Sequence, residues 1–159
     1  MAAHTYCSHC GSLFDDLSWP RQCQSCGQAT YRNPAPVSVT LVPIGSGLLT
    51  VRRSIMPRQG ELALPGGYID WGESWQAAGA REVREETGII IDAAAISLYD
   101  VRSAPDGTLL VFGLAAPATL PKDWQATAEA SELVIITTPQ TLAFPLHTAV
   151  AERWLHEHM

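Results

Sequence analysis

The chain has no cysteine after residue 26 and no apolar run long enough to cross a bilayer. A membrane-spanning helix needs about 20 consecutive apolar residues, whereas the run from Gly88 to the alanines after Asp92 is short and is interrupted by that acid. Met1 to Tyr6 also lack the basic stretch and the apolar core of a secretory signal. These absences predict a cytoplasmic protein with no transmembrane segment.

Basic residues are few as well: ten lysines and arginines stand against sixteen acids, which gives a net charge of −6. Binding to a nucleic-acid backbone relies on clustered cations, so this balance argues against a general nucleic-acid surface. The chain has 159 residues, of which 47% are apolar and 16% charged. This composition is typical of a globular protein with one core and a small appended module.

All four cysteines fall in two pairs with the same spacing, separated by twelve residues: Cys7-x2-Cys10 and Cys23-x2-Cys26. A glycine follows each pair, which lets the backbone turn tightly around a metal. In a chain without an export signal, this spacing favours a structural zinc site of four thiolates over disulfides or free thiols. His9 lies within the first pair, but four cysteines already fill a tetrahedral shell.

The remaining sequence predicts an α/β domain. Residues 33–36, Asn-Pro-Ala-Pro, indicate a linker, so we place a zinc ribbon at 1–32 and the main domain at 33–159. Ser74 and Gly88 are typical caps for a helix that extends through Thr87. The other expected elements follow in chain order: a hairpin of residues 37–42 and 48–53, a short run at 62–64 ending in a Pro-Gly-Gly turn, strands at 96–102, 109–114 and 133–137 with a turn at 105–107, and a terminal helix starting near Pro145.

The central helix carries three acids on one face, Glu82, Glu85 and Glu86. Like charges at this spacing destabilise an isolated helix by roughly 0.2–0.5 kcal/mol per pair, and a bound divalent cation would reverse that effect. Carboxylate oxygens are the ligands that Mg²⁺ and Mn²⁺ prefer. The alternative is a solvated helix face on which Arg81 and Arg84 pair with these acids.

The residues around this helix resemble the Nudix box at every specified position, as Gly67-x5-Glu73-x7-Arg81-Glu82-Val83-x-Glu85-Glu86-x-Gly88-Ile89. The resemblance implies a Nudix fold, a mixed β-sheet sandwiched between helices. It also implies that Glu82, Glu85 and Glu86 are catalytic and bind Mg²⁺ or Mn²⁺, with the carbonyl of Gly66 as a further ligand. Glu73 and Arg81 would support the loop and helix, as would the glycines Gly67 and Gly88. Either Glu85 or Glu86 could activate the attacking water.

Several further residues are candidates for the site. A carboxylate from a late loop completes the site in many relatives, and Glu129 or Glu132 lies in the matching region; both could equally be surface acids. Substrate contacts are expected among the cations and aromatic residues near the box: Arg52, Arg53, Arg58, Tyr68, Trp71 and Trp75, with Tyr99 and Phe112 farther along the chain. Solvation at the surface is the alternative for the three arginines, and packing is the alternative for the aromatic residues.

A zinc ribbon before a Nudix box narrows the resemblance to NADH pyrophosphatases and related hydrolases of ADP-ribose or FAD type, and implies a homodimer as one assembly. The chain has Ser103-Ala-Pro-Asp-Gly107 where NADH pyrophosphatases carry Ser-Gln-Pro-Trp. Pro105, sixteen residues after Ile89, resembles a marker of ADP-ribose enzymes but equally suits a turn.

Three functions are therefore in view. The first is a pyrophosphohydrolase of a small nucleotide such as ADP-ribose, NAD(H) or an FAD-like compound. The second is a hydrolase that removes nucleotide-type caps from RNA 5′ ends, and the third is a catalytically silent nucleotide-binding module.

Overall fold

The computed structural model describes residues 4–16 and 18–158 and divides the chain into two compact units, Met1–Pro34 and Ala35–Met159. Residues 1–3 lie outside the described part. They form the start of the segment 1–6, which we predicted not to be an export signal. Within the described ranges, no helix combines the length and the apolar character that crossing a membrane requires.

The first unit is built around its two cysteine pairs. Strands β1 (Arg21–Gln22) and β2 (Ala29–Thr30) pair antiparallel. The amide of Gly11 donates to the Cys7 carbonyl at 3.0 Å, and that of Gly27 to the Cys23 carbonyl at 2.9 Å. Both glycines adopt left-handed backbone angles, with φ of 77° and 72°, which residues with a Cβ rarely adopt. Two similar turns therefore present the four sulfur atoms.

In its described residues, the second unit contains eight strands, two α-helices and a short 3₁₀ helix at Ala93–Ala95. In chain order these are β3 (Ala35–Leu41), β4 (Pro43–Ile44), β5 (Gly47–Arg53), β6 (Leu62–Ala63), β7 (Gly66–Tyr68), α1 (Trp75–Thr87), β8 (Ser97–Ser103), β9 (Thr108–Leu114), β10 (Ala130–Ile136) and α2 (Pro145–His158). One sheet has the order β7-β3-β9-β8 and is mixed, because β3 and β9 are parallel. The other has the order β10-β5-β4, with β6 also paired to β5.

The expected hairpin between residues 37–42 and 48–53 is wrong. Strand β3 has a neighbour on each edge, β7 and β9, and so has no edge left for β5. The hairpin forms between β4 and β5 instead, with Pro43 opposite Leu48. The expected Pro-Gly-Gly turn is also wrong, because Gly66 and Gly67 belong to β7 and pair with β3.

The box helix has the bounds and caps that the sequence predicts. The Ser74 hydroxyl accepts a hydrogen bond from the Ala77 amide at 3.1 Å. Gly88 ends the helix with φ of 71°, and its amide donates to the Arg84 carbonyl at 2.9 Å. The strands at 96–102, 109–114 and 133–137 and the terminal helix are also confirmed, although β10 starts earlier than expected.

The apolar core lies between the helices and the sheets. Residues of α2 pack with the buried side chains of β3 and β9, including Val39, Phe112 and Trp154. On α1, Gly79 has no room for a side chain, because a Cβ there would lie 2.6 Å from the Thr40 hydroxyl oxygen on β3. This close approach of α1 to the mixed sheet fixes where the acidic face of the helix emerges.

Candidate active site

Three carboxylates converge where α1 meets the start of β10. Glu82 and Glu86 lie one helical turn apart on α1, and Glu129 immediately precedes β10; one oxygen from each lies within 4.8 Å of the others. Glu82 and Glu86 are buried, with 8% and 4% of their surfaces exposed. Buried like charges are unfavourable unless a cation or protons offset them, and hard oxygen donors suit Mg²⁺ or Mn²⁺. This cluster therefore fits a divalent cation.

The protonation of Glu86 reflects the same crowding. Burial, together with the negative charges of Glu82 and Glu129, raises the pKa of Glu86 to about 8, against the opposing effects of the Gly66 amide and Arg53. Burial also raises the pKa of Glu82, opposed by Arg81. Without a cation, Glu86 therefore retains a proton at neutral pH, and a cation that binds there must displace it.

Arg81 ties the box loop to the helix. Its Nε and Nη2 donate to the two oxygens of Glu73, each at 3.0 Å, and Nη2 also donates to the Tyr68 carbonyl at 3.0 Å. Its Nη1 donates to Glu82 at 2.7 Å and to Glu85 at 3.2 Å. The guanidinium holds the pKa of Glu73 below its usual range. Arg81 thus orients the Glu82 carboxylate, although Arg81 is not itself a member of the carboxylate cluster.

Glu85 is not one of the three clustered carboxylates. It is exposed and pairs with Arg81 at 3.2 Å and with Arg84 at 3.8 Å. The alternative interpretation, a solvated helix face on which Arg81 and Arg84 pair with the acids, therefore holds for Glu85. Glu82 and Glu86 instead face inward. The structure divides the three box acids into two buried side chains and one at the surface.

The two late acids also separate. Glu132 lies within β10 and forms an ion pair with Arg52 at 2.7 Å, whereas Glu129 joins the cluster. The turn before β10 fixes Glu129, because the Thr127 hydroxyl accepts hydrogen bonds from the amides of Glu129 at 3.3 Å and Ala130 at 3.0 Å. Of the two candidates, the structure brings only Glu129 to the box carboxylates.

Gly66 and Gly67 lie against the two buried acids of the box helix. The amide of Gly66 donates to Glu86 at 3.1 Å. A Cβ at Gly67 would lie 2.6 Å from the carboxyl carbon of Glu82, closer than side-chain carbons approach one another. A side chain at position 67 would therefore displace Glu82.

The aromatic candidates for substrate contacts differ from one another in their exposure to solvent. Trp71 is fully exposed and Tyr68 is 64% exposed, so both are available to a ligand. Phe112 is 0% exposed, and its candidacy for stacking on a base is wrong because it belongs to the core. The Tyr99 ring is covered by Arg153, whose guanidinium lies 4.3 Å from its centre, and its hydroxyl donates to Glu157 at 2.7 Å.

A surface cavity of about 410 Å³ lies beside Glu85. It runs from the end of α1 to the loop before β10 and is lined by Arg84, Glu85, Gly88, Pro121, Lys122, Asp123, Trp124, Gln125 and Thr127. No sequence motif marks this loop, and none of its residues was predicted to belong to the site; the chain's single lysine, Lys122, was the available signal. The cavity offers cations and an aromatic side chain next to the box.

The four cysteines of the first unit form a second cluster, with all sulfur atoms within 4.8 Å of one another. Cys7 and Cys26 lie 3.8 Å apart, and Cys10 and Cys23 lie 3.6 Å apart. Tetrahedral zinc with Zn–S bonds of about 2.3 Å places its sulfurs about 3.8 Å apart. None of the four forms a disulfide, so the disulfide alternative is wrong. The amides of His9 and Cys10 lower the pKa of Cys7, which favours the thiolate that zinc binds.

Comparison with known proteins decides the family. The model of the NUDIX domain matches residues 34–157. The chain belongs to the Nudix family. A solved Nudix hydrolase from Nitrosomonas europaea superposes with a TM-score of 0.79 at 23% identity, over 96% of this chain and 91% of the other; that likeness shows the Nudix fold.

Two curated relatives have a higher sequence identity to this chain than the solved structure has, over a shorter part of it. The chain is 37% identical over 76 residues to an ADP-ribose pyrophosphatase of Methanocaldococcus jannaschii, over 48% of this chain and 44% of the relative. It is 36% identical over 95 residues to the NAD-capped RNA hydrolase NudC of Stutzerimonas stutzeri, over 57% of this chain and 33% of the relative. The matched regions thus cover less than half of either relative.

Proposed function

We propose that this Nudix protein hydrolyses the pyrophosphate linkage of a nucleoside diphosphate joined to a second group, with ADP-ribose, NAD(H) and FAD-like compounds as the substrate class. The cluster of Glu82, Glu86 and Glu129 carries the proposal, because three convergent carboxylates beside an intact box suit cation-assisted attack on a diphosphate. The similarity to an ADP-ribose pyrophosphatase supports the substrate class.

The carboxylates have separate tasks in this proposal. Glu82, Glu86 and Glu129, with the Gly66 carbonyl as an additional donor, would hold Mg²⁺ or Mn²⁺. When bound, such an ion offsets phosphate charge and makes water more acidic. Arg81 holds Glu82 in place through a 2.7 Å hydrogen bond. The water oxygen attacks one phosphorus, the bond from that phosphorus to the bridging oxygen breaks, and the products are two monophosphates.

The proton of the attacking water needs an acceptor, and Glu85 is our candidate. Glu85 lies outside the cluster, is exposed, and borders the cavity of about 410 Å³. Glu86 is the other candidate, and the pH dependence of kcat in Glu85→Gln and Glu86→Gln distinguishes them. Substituting the residue that accepts the proton removes the acidic limb of the pH profile of kcat. Substituting a residue that binds the cation lowers the cation affinity instead.

The test of the proposed function is product release from ADP-ribose, NADH, NAD and FAD with Mg²⁺ or Mn²⁺, by the wild type and by Glu86→Gln. Cleavage by the wild type alone is the expected result. Intact substrates throughout, with nucleotide binding retained, would instead support the silent binding module.

A capped RNA end is the second candidate substrate, supported by the similarity to an NAD-capped RNA hydrolase. The net charge of −6 opposes it. Competition between free NAD and NAD-capped RNA across a salt titration separates the two, because RNA contacts beyond the cap weaken as salt rises. The same preparations give the zinc content and the oligomeric state, for which we propose one zinc per ribbon and a homodimer.

A further inference from the structure

Arg53 differs from the other arginines of the second unit. Six of them lie within 4.0 Å of a carboxylate, namely Arg52, Arg58, Arg81, Arg84, Arg102 and Arg153. Among the described residues, Arg53 has no such partner. Its Nε donates to the Pro57 carbonyl at 2.8 Å. A cation that no protein acid neutralises remains free to bind an anion from outside.

The backbone of Arg53 lies beside that of Glu129, a member of the carboxylate cluster. Arg53 lies opposite Ala130 in the pairing of β5 with β10, and the next residue, Ser54, donates its amide to the Glu129 carbonyl at 2.8 Å. Arg53 therefore adjoins the place where the substrate diphosphate would lie.

Phe144 holds the guanidinium of Arg53. The guanidinium carbon lies 5.1 Å from the centre of the Phe144 ring, within the range of a cation–π contact. Arg53 can therefore keep its direction without an acid that would compete with phosphate. A carboxylate partner would orient the side chain equally well but would cancel its charge.

The backbone around Phe144 is anchored on both sides. The Ala143 amide donates to the Leu62 carbonyl of β6 at 2.7 Å, and the Phe144 carbonyl accepts the Thr148 amide of α2 at 3.0 Å. Its ring also contacts the buried ring of His147, with centres 5.1 Å apart. The loop before α2 thus presents a fixed aromatic surface to Arg53.

We propose that Arg53 binds the diphosphate of the substrate and that Phe144 is a positioning residue that acts through Arg53. This inference rests on the proposed function and adds to it a cation from β5 and an aromatic residue from the loop before α2. The ligand class is a nucleoside diphosphate. Its phosphate oxygens would accept hydrogen bonds from the guanidinium N–H groups of Arg53 that do not donate to the Pro57 carbonyl.

Binding of adenosine 5′-(α,β-methylene)diphosphate, which cannot be hydrolysed at its methylene bridge, tests this in Mg²⁺ by calorimetry. Arg53→Gln should weaken binding about 10- to 100-fold, since it removes charge-assisted hydrogen bonds. Phe144→Leu should weaken it about three- to tenfold, and Phe144→Tyr, which keeps the ring, should bind as the wild type does. For substrate turnover, Phe144→Leu should raise KM more than it lowers kcat.

The double variant decides whether Phe144 acts through Arg53. In the Arg53→Gln background, Phe144→Leu should have no further effect, whereas a merely structural role would give the same loss in both backgrounds. Arg102→Lys is the matched control: Arg102 pairs with Asp100 on β8, at the opposite edge of the mixed sheet from β7. Thermal unfolding of each variant verifies that it is folded.

The outcomes separate the inference from the proposed function. Wild-type affinity in Arg53→Gln, or an undiminished effect of Phe144→Leu in the double variant, overturns the inference even if the wild type hydrolyses its substrate. A folded wild type that neither cleaves any dinucleotide nor binds the analogue overturns both.

Discussion

The amide of Gly66 donates a hydrogen bond of 3.1 Å to the carboxylate of Glu86. It joins β7 to the box helix and gives a buried acid one fixed partner. The second oxygen of Glu86 can then face Glu82 and Glu129, the other members of the cluster. The first prediction concerns the protonation of this acid.

Metal-free protein should lose stability as pH rises from about 4.5 to 8. Folding raises the pKa of Glu86 from 4.5 to about 8, so in this range the folded state keeps a proton that the unfolded state releases. The slope for one proton is at most about 1.4 kcal/mol per pH unit. Urea unfolding without added Mg²⁺ or Mn²⁺ should show this fall, and Glu86→Gln should reduce it. Equal slopes in both proteins would contradict the assignment.

Glu129→Gln should lower activity at least about tenfold and weaken cation binding, because it removes one carboxylate of the cluster. Glu132→Gln is the matched control, since Glu132 pairs with Arg52 at the surface and an exposed pair contributes about 1 kcal/mol or less to stability. Steady-state rates across a Mg²⁺ titration measure both variants. Equal losses would show that the cluster is not the cation site.

Gly67→Ala should reduce cation affinity because the added Cβ would displace the Glu82 carboxylate. Gly107→Ala separates this effect from strain: Gly107 has φ of 89° in a turn with open space around it, so the change costs about 1 kcal/mol of stability without touching the acids. Titration of each variant with Mn²⁺ is the measurement. An affinity unchanged by Gly67→Ala would refute the role of this close approach.

Removing zinc should unfold the first unit. The amides of Gly11 and Gly27 donate to carbonyls of the cysteine turns. We expect these turns to unfold without zinc, because the apolar core of the first unit is too small to hold them. Hydrogen exchange with and without chelator should show protection of both amides only in the zinc-bound protein. Cys23→Ser should reproduce the chelated state, and persistent protection after zinc removal would oppose the prediction.

Local signals predicted the box helix well. Ser74 and Gly88 act on hydrogen bonds within a few residues, so their effect can be inferred from neighbours in the sequence. The failed hairpin shows the limit of that inference. Residues 37–42 and 48–53 are both apolar, and pattern alone does not say that β3 pairs with β7 and β9 instead.

The candidate site shows the same division. The box acids could be identified from spacing, but the choice between Glu129 and Glu132 depends on where β10 begins, and the sequence placed that start at residue 133 instead of Ala130. Phe144 was not a candidate, because its contact with Arg53 joins two residues that lie far apart in the sequence. Long-range packing, unlike helix capping, leaves no local pattern.

The full exposure of Trp71 in the box loop gives the protein an optical probe of its own. Of the five tryptophans, Trp154 is buried in the core, whereas Trp71 meets water on all sides and should be the indole most open to a collisional quencher. A nucleotide that stacks on Trp71 would shield it, so the fluorescence of the unlabelled chain can report whether a ligand contacts this loop.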